Sequence, residues 1–576
     1  MTRRGDPYED AVMSNTTSSG GGPLPRQIAD AYVDALVELD PIGGTYLGVA
    51  ESSGRLPDLS PTGQEAVAQL ARTTLEKLTE AEARPGADSA AERICARLLR
   101  ERLTAELAVH DAGEGLRAVS NLGSPLHGVR EVFTITPAET EADWAAIARR
   151  LRAVPAALEG YRASLDAGLR RELPAGPRQV ATVIGQLAEW IGTDRSWFAE
   201  FTDPGPDALR TELTAAAEVA TGALVELRDW LRDSYAPAVA GAPDVVGRER
   251  YARLARYYNG ADLDADEAYA YGWSEFHRLL AEMETEAEKV LPGAKTPWEA
   301  LAWCDEHGET VEGVEETRQW LQSLMDEAID ALDGTHFELA ERVRKVESRI
   351  APPGSAAAPY YTQPSLDFSR PGRTWLPTMG ETRFPAYDLV STWYHEGVPG
   401  HHLQLAQWTH VADQLSRYQT TVGIVSANAE GWALYAERLM DELGFLTSPE
   451  RRLGYLDAQM MRAIRVIIDI GMHLELEIPA DSPFHPGERW TPELAQEFLG
   501  RHCSRPADYV ESEVIRYQGI AGQAIGYKLG ERVWLQGREA ARARHGADFD
   551  LKAWHMAALS QGSLGLDDLL SELSAL

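Results

Sequence analysis

Three of the 14 histidines in this 576-residue chain fall within eight residues, in YHEGVPGHHLQ (residues 394–404), beside a glutamate and around a Pro-Gly pair. Imidazoles and a carboxylate at such density suit a zinc ion, which needs two or three protein ligands converging at about 2.0–2.2 Å. The helical H-E-x-x-H pattern meets that need because residues four apart stack on one helix face. Here the fourth position after His395 is Pro399, whereas His401 and His402 stand six and seven positions on. On a straight helix the first pair faces apart, and the second is separated by about 10 Å along the axis. Proline removes the bond to the carbonyl four residues back and forces a kink, and Gly400 accepts the backbone angles that follow. A bulge that absorbs Val398 and Pro399 restores the required relation between His395 and His401. This makes His401 the expected ligand, with His402 as the fallback.

A hydrolytic zinc site needs a third ligand and an open position. Glu430, in NAEGWALYAE (residues 428–437), follows His401 by 29 residues, enough for a turn and a returning helix. Glu437 lies two turns further on the same face and can orient a ligand histidine through its other ring nitrogen. Asp469 and His473 share a helix face in RVIIDIGMHLELE, placed to bond each other and line the site or to form a plain polar stripe. Further on, EVIRYQGIAGQAIGYKLGERVW sets Arg516, Tyr517 and Tyr527 among small residues. An arginine there can grip a substrate carboxylate bidentately, and a tyrosine hydroxyl can donate to a developing oxyanion.

The elements that must carry these groups read as helices. Residues 64–84, 145–165, 209–231, 266–291 and 310–332 are rich in Ala, Leu, Glu and Arg, with apolar residues at three- and four-residue spacing. Residues 385–397 read as a helix with Pro385 in its first turn. Alternating β segments are scarce; PYYTQ (residues 359–363) is the one short strand expected. The composition breaks most sharply in the Pro- and Gly-rich residues 349–377. The expected organisation is a leader, residues 1–23, then one large helical domain over 24–576. Within it, residues 24–350 form a helical N-terminal part and residues 351–576 the motif-bearing part.

With 89 acidic against 55 basic residues, the formal charge is −34. That lacks the basic footprint of a nucleic-acid binder or of a protein bound to an anionic membrane. The three cysteines form no cluster, no run reaches the length of a membrane span, and the N-terminus has no apolar signal-peptide core. These features lead us to expect a cytoplasmic protein.

LDPIGGTYLGV, YYTQPSLDFSRPGR, HEGVPGHHLQ, EGWALYAE, DIGMH and RYQGIAGQAIGYKLG, in this order, resemble the bacterial family of domain of unknown function 885. That family resembles the gluzincin metallopeptidases, among them carboxypeptidase Taq and the peptidyl-dipeptidases. The resemblance implies a mainly α, large helical fold with a deep cleft and a small β element near the active site. It implies one zinc ion on His395, His401 and Glu430, with Glu396 as general base. It makes Tyr517 the oxyanion donor, with Arg516 in support. His402, Glu437, His473 and Tyr527 fall around the site, and the strand holding Tyr361 would pair with the substrate backbone. The expected activity is zinc-dependent hydrolysis of short peptides, of carboxypeptidase or dipeptidase type, by a monomer or homodimer. The alternatives are a metal-dependent amidohydrolase or lyase acting on a non-peptide substrate, or a metal-binding protein without turnover.

Overall fold

The computed structural model describes residues 22–352 and 358–576. The expected leader lies outside them except for its last two residues.

Helices dominate, and many begin on one local signal. Ser60, Thr296, Ser448 and Thr491 each precede a proline, and each side chain accepts the backbone N–H three residues on. The hydroxyl satisfies an orphan donor of the first turn, and proline fills the position where a missing N–H costs nothing. The spine of the molecule is Pro449–Leu474, in which every residue from Leu453 to His473 except Arg462 is buried. Ala265–Val290 and Ala386–Glu396 pack along it. Ser426–Glu442 lies against Gly526–His545, which in turn packs on Leu566–Ala575.

The apolar core has two parts. The larger draws on residues 28–103, 251–346 and 376–573, so it runs across the compositional break near residue 350. The smaller is built within residues 119–239.

The expected helices over 64–84, 145–165, 209–231 and 266–291 appear as Pro61–Glu82, Glu141–Arg170, Arg210–Trp230 and Ala265–Val290. The helix expected from residue 310 instead begins at Val314, because Thr310–Glu312 pairs antiparallel with Arg383–Pro385. Pro385 ends that strand and caps the helix Ala386–Glu396 from outside. Tyr360–Thr362 is a strand, as PYYTQ suggested, at the edge of a three-stranded sheet. The central strand Gly372–Leu376 pairs antiparallel with it and parallel with Val346–Ile350. Three- and five-residue strands of mixed polarity show too little alternation to stand out in sequence.

Candidate metal centre

The histidine segment is not one bulged helix but two helices around a turn. Ala386–Glu396 stops at Gly397, and His401–His410 begins after Gly400. The Gly400 N–H reaches the Tyr394 carbonyl at 3.0 Å, a bond spanning six residues. That is the span of an ordinary helical bond lengthened by two, so the turn absorbs two residues, as the spacing required. Gly400 is needed for close approach, since a Cβ there would lie 2.0 Å from the His395 carbonyl oxygen. Two other residues hold the turn. Trp432 Nε1 donates to the Pro399 and Gly400 carbonyls at 2.9 and 3.1 Å, and the Val398 N–H meets Met325 Sδ at 3.0 Å.

The turn brings the rings of His395 and His401 to a centroid separation of 4.7 Å, nearly perpendicular. Glu430, from Ser426–Glu442, points its Oε2 between them, 3.3 Å from His395 Nε2 and 3.5 Å from His401 Nε2. This buried oxygen makes no hydrogen bond among the described residues. Ligands held about 2.0–2.1 Å from a tetrahedral zinc ion lie about 3.3–3.4 Å from each other, so the donor set fits such an ion. Glu396 stands beside it, with an oxygen 4.0 Å from His395 Nε2.

Glu437 receives the other nitrogen of His395: Nδ1 to Oε1 is 2.7 Å, and Ser391 Oγ donates to Oε2 at 2.6 Å. The carboxylate thus fixes the tautomer that leaves Nε2 free to bind a cation. Burial alone would lower the His395 pKa, yet Glu430 and Glu437 outweigh it and raise it to about 10. Burial would raise the pKa of Glu430, but the two imidazoles hold it far below the usual carboxylate range. Both shifts favour a proton on the His395 ring between the two carboxylates. Glu396 moves the other way, raised chiefly by burial.

His402 turns away from this cluster. Its Nε2–H donates to the Val343 carbonyl at 2.7 Å, and its Nδ1 accepts from the Tyr361 hydroxyl at 3.0 Å. Burial lowers its pKa to about 4, keeping it neutral. The fallback ligand is thus a sheet-anchoring residue, and Tyr361 belongs to that anchor.

Asp469 and His473 do not bond each other. Asp469 Oδ2 accepts from the Tyr251 hydroxyl and the Gly522 N–H, at 2.6 and 3.0 Å. His473 Nε2 donates to the Tyr517 carbonyl at 3.0 Å. Together they fasten residues 517–522. The Tyr517 hydroxyl, expected as an oxyanion donor, is fully buried and donates to Glu513 at 2.6 Å. Arg516 is paired to the same glutamate.

Tyr527, expected around the site, lies near enough to Glu430 to feel its charge. Its helix and that of Glu430 meet backbone to backbone: a Cβ on Gly431 would lie 2.4 Å from the Gly530 carbonyl carbon, and one on Gly526 would lie 3.0 Å from Ala427 Cβ. Tyr527 is thereby set beside Glu430. Burial, then the Glu430 charge, raises its phenol to about 12. Arg465 lies 4.7 Å over its ring, and its hydroxyl makes no hydrogen bond among the described residues. Trp432 and Met325, which hold the turn, were missed by sequence reasoning. Of these, only Trp432 left a signal, by standing inside the EGWALYAE stretch.

No curated protein matches the chain. Two solved structures share its fold. A "putative lipoprotein" from Colwellia psychrerythraea superposes with a TM-score of 0.80 at 21% identity, covering 96% of this chain and 98% of that one. A "putative lipoprotein of unknown function" from Shewanella oneidensis gives 0.75 at 18%, covering 96% and 100%. The family model described as "Bacterial protein of unknown function (DUF885)" matches residues 41–573, and the chain belongs to that family.

Proposed function

We propose that this protein is a zinc-dependent hydrolase of amide bonds in short peptides. The observation that carries this reading is the convergence of His395 Nε2, His401 Nε2 and Glu430 Oε2 at 3.3 and 3.5 Å around an unsatisfied buried oxygen. With the downstream glutamate as third ligand, the donor set is that of the gluzincin peptidases. Both nitrogens of His402 are engaged elsewhere, which supports an open position over a closed storage site.

Zinc bound there supplies Lewis acidity, acidifying water and polarising a carbonyl. Glu396 removes the proton from the attacking water and returns it to the leaving amine. Its burial suits the proton-carrying half of that cycle. Tyr527 donates its hydroxyl to the oxygen on which charge develops, and Glu437 keeps the His395 ring in register.

The test is metal analysis of the purified chain together with turnover of a peptide library by Glu396→Gln. We expect one zinc per chain in both proteins and a loss of about 10²–10⁴ in kcat for the variant. Full activity in the variant, or no bound metal in the parent, defeats the reading.

A further inference from the structure

A polar chain inside the protein joins the proposed metal centre to a lysine. Lys528, one residue after Tyr527, is fully buried, as are Gln459 and Glu531. Lysine is almost never found fully buried unless its charge is paired. Here the ammonium lies 2.5 Å from Glu531 Oε2 and 3.2 Å from Glu275 Oε2, and it donates to Gln459 Oε1 at 2.8 Å. Gln459 in turn faces Glu437, with Nε2 3.5 Å from Oε2. Ser391 Oγ donates to the same oxygen, while Oε1 accepts from His395 Nδ1 at 2.7 Å.

The two ends of this chain settle which way the Gln459 amide points. An ammonium has three donors and no acceptor, so it takes the amide oxygen; an ionised carboxylate only accepts, so it takes the amide nitrogen. A reversed amide would set donor against donor at Lys528 and acceptor against acceptor at Glu437. The groups that meet come from four helices, Ala386–Glu396, Ser426–Glu442, Pro449–Leu474 and Gly526–His545. The link to Glu437 is long, so it acts chiefly as an oriented dipole with a cation behind it, in an interior that screens such fields weakly. We propose that Gln459 and Lys528 are positioning residues of the metal centre. Lys528 fixes the amide of Gln459, and Gln459 holds Glu437 in the orientation that aims His395 Nε2 at the ion. This inference rests on the hydrolase reading for the identity of the ligands. It deepens that reading by extending the support of His395 to two residues that bond neither ligand nor substrate.

The test is the zinc affinity of the full chain, measured by competition with a chelator in a double-mutant cycle. Gln459→Met removes the amide and Lys528→Met removes the charge, each with little change of length. Direct partners of metal-bound histidines are worth about 10–100-fold in affinity. One step further out, we expect each variant to weaken zinc at least fivefold. In a chain already carrying Glu437→Gln the same substitutions should cost less than twofold, because the path ends at that carboxylate. A loss that came only from loosened packing would be equal in both backgrounds. Histidine-labelled NMR of the zinc-loaded chain adds a second readout. The His395 Nδ1–H resonance should move in Gln459→Met, while His473 Nε2–H, bonded to the Tyr517 carbonyl, stays in place. If Lys528→Met does not fold, Gln459→Met, which removes no charge, carries the test. Equal losses in both backgrounds, no loss in either, or an unmoved His395 resonance overturns the proposal. The hydrolase reading fails separately. Zinc affinity coupled to Gln459 without peptide turnover by the parent keeps the positioning role and loses the hydrolase. An active enzyme whose zinc affinity ignores Gln459 does the reverse, and a parent that binds no zinc overturns both.

Discussion

His401 and His402 are neighbours in sequence and opposites in role, and the difference is geometric. One faces Glu430 at 3.5 Å, whereas the other closes a Tyr361–His402–Val343 chain under the sheet. His401→Ala should therefore reduce zinc affinity by more than a hundredfold with little change in the melting of the metal-free protein. His402→Ala should retain the metal but leave a buried hydroxyl and carbonyl unpaired, at about 1–3 kcal/mol each. Metal content and melting temperature, measured on both variants, separate the two roles. The convergence of His395, His401 and Glu430 was legible because metal chemistry restricts residue type and spacing, so a two-residue excess was visible as an excess. The supports were not. A tryptophan capping carbonyls and a methionine under a turn belong to residue types that fill cores everywhere, and nothing in their spacing marks them. Tyr517 misled for a related reason: a motif names a residue, but its hydroxyl follows the nearest buried acceptor, here Glu513.

Two features of the helices govern the site. Where Ser426–Glu442 crosses Gly526–His545, a Cβ on Gly530 would lie 2.1 Å from the Ala427 carbonyl oxygen. Gly530→Ala should part the helices at a cost of about 1–3 kcal/mol. By displacing Glu430, it should also weaken zinc at least tenfold, measured by competition with a chelator. Unchanged affinity would mean that the crossing does not position the ligand. The second feature is the inner end of Pro449–Leu474. Asp469 holds its proton to about 7 in the folded chain, against 3.8 ordinarily, because burial penalises the charge. Between those values the unfolded chain binds fewer protons than the folded one. This group's stabilisation is thus complete below about pH 4 and is lost as pH rises through 7, by at most about 1.4 kcal/mol per pH unit. Asp469→Asn, which retains an acceptor for Tyr251 and Gly522, should flatten that decline in urea unfolding between pH 5 and 7.5. Helix positions were readable from apolar spacing, but this crossing was not: in sequence it is a few glycines, which also suit a loop.

At the scale of the whole molecule, composition suggested a break near residue 350, yet the larger core pools residues 28–103 with 376–573. Pairing across such separations depends on which faces fit, and composition carries no record of that. The division that does appear in the packing is the smaller core within residues 119–239. It meets the body partly through polar contacts: Gln179 Nε2 to the Ile515 carbonyl at 2.6 Å, and Arg178 to an exposed Glu493 at 2.7 Å. Exposed ion pairs of this kind contribute about 0–1 kcal/mol, too little to force two cores to melt as one. All three proposed ligands sit in the larger unit, so metal binding should stabilise that unit alone. At free zinc a hundredfold above its Kd, the gain is about 2.7 kcal/mol. Calorimetry of the full chain should resolve two overlapping transitions, with chelation lowering one and leaving the other in place. A single transition that moves as a whole would show that the two cores unfold together. The metal centre would then draw on the entire fold rather than on the part that holds its ligands.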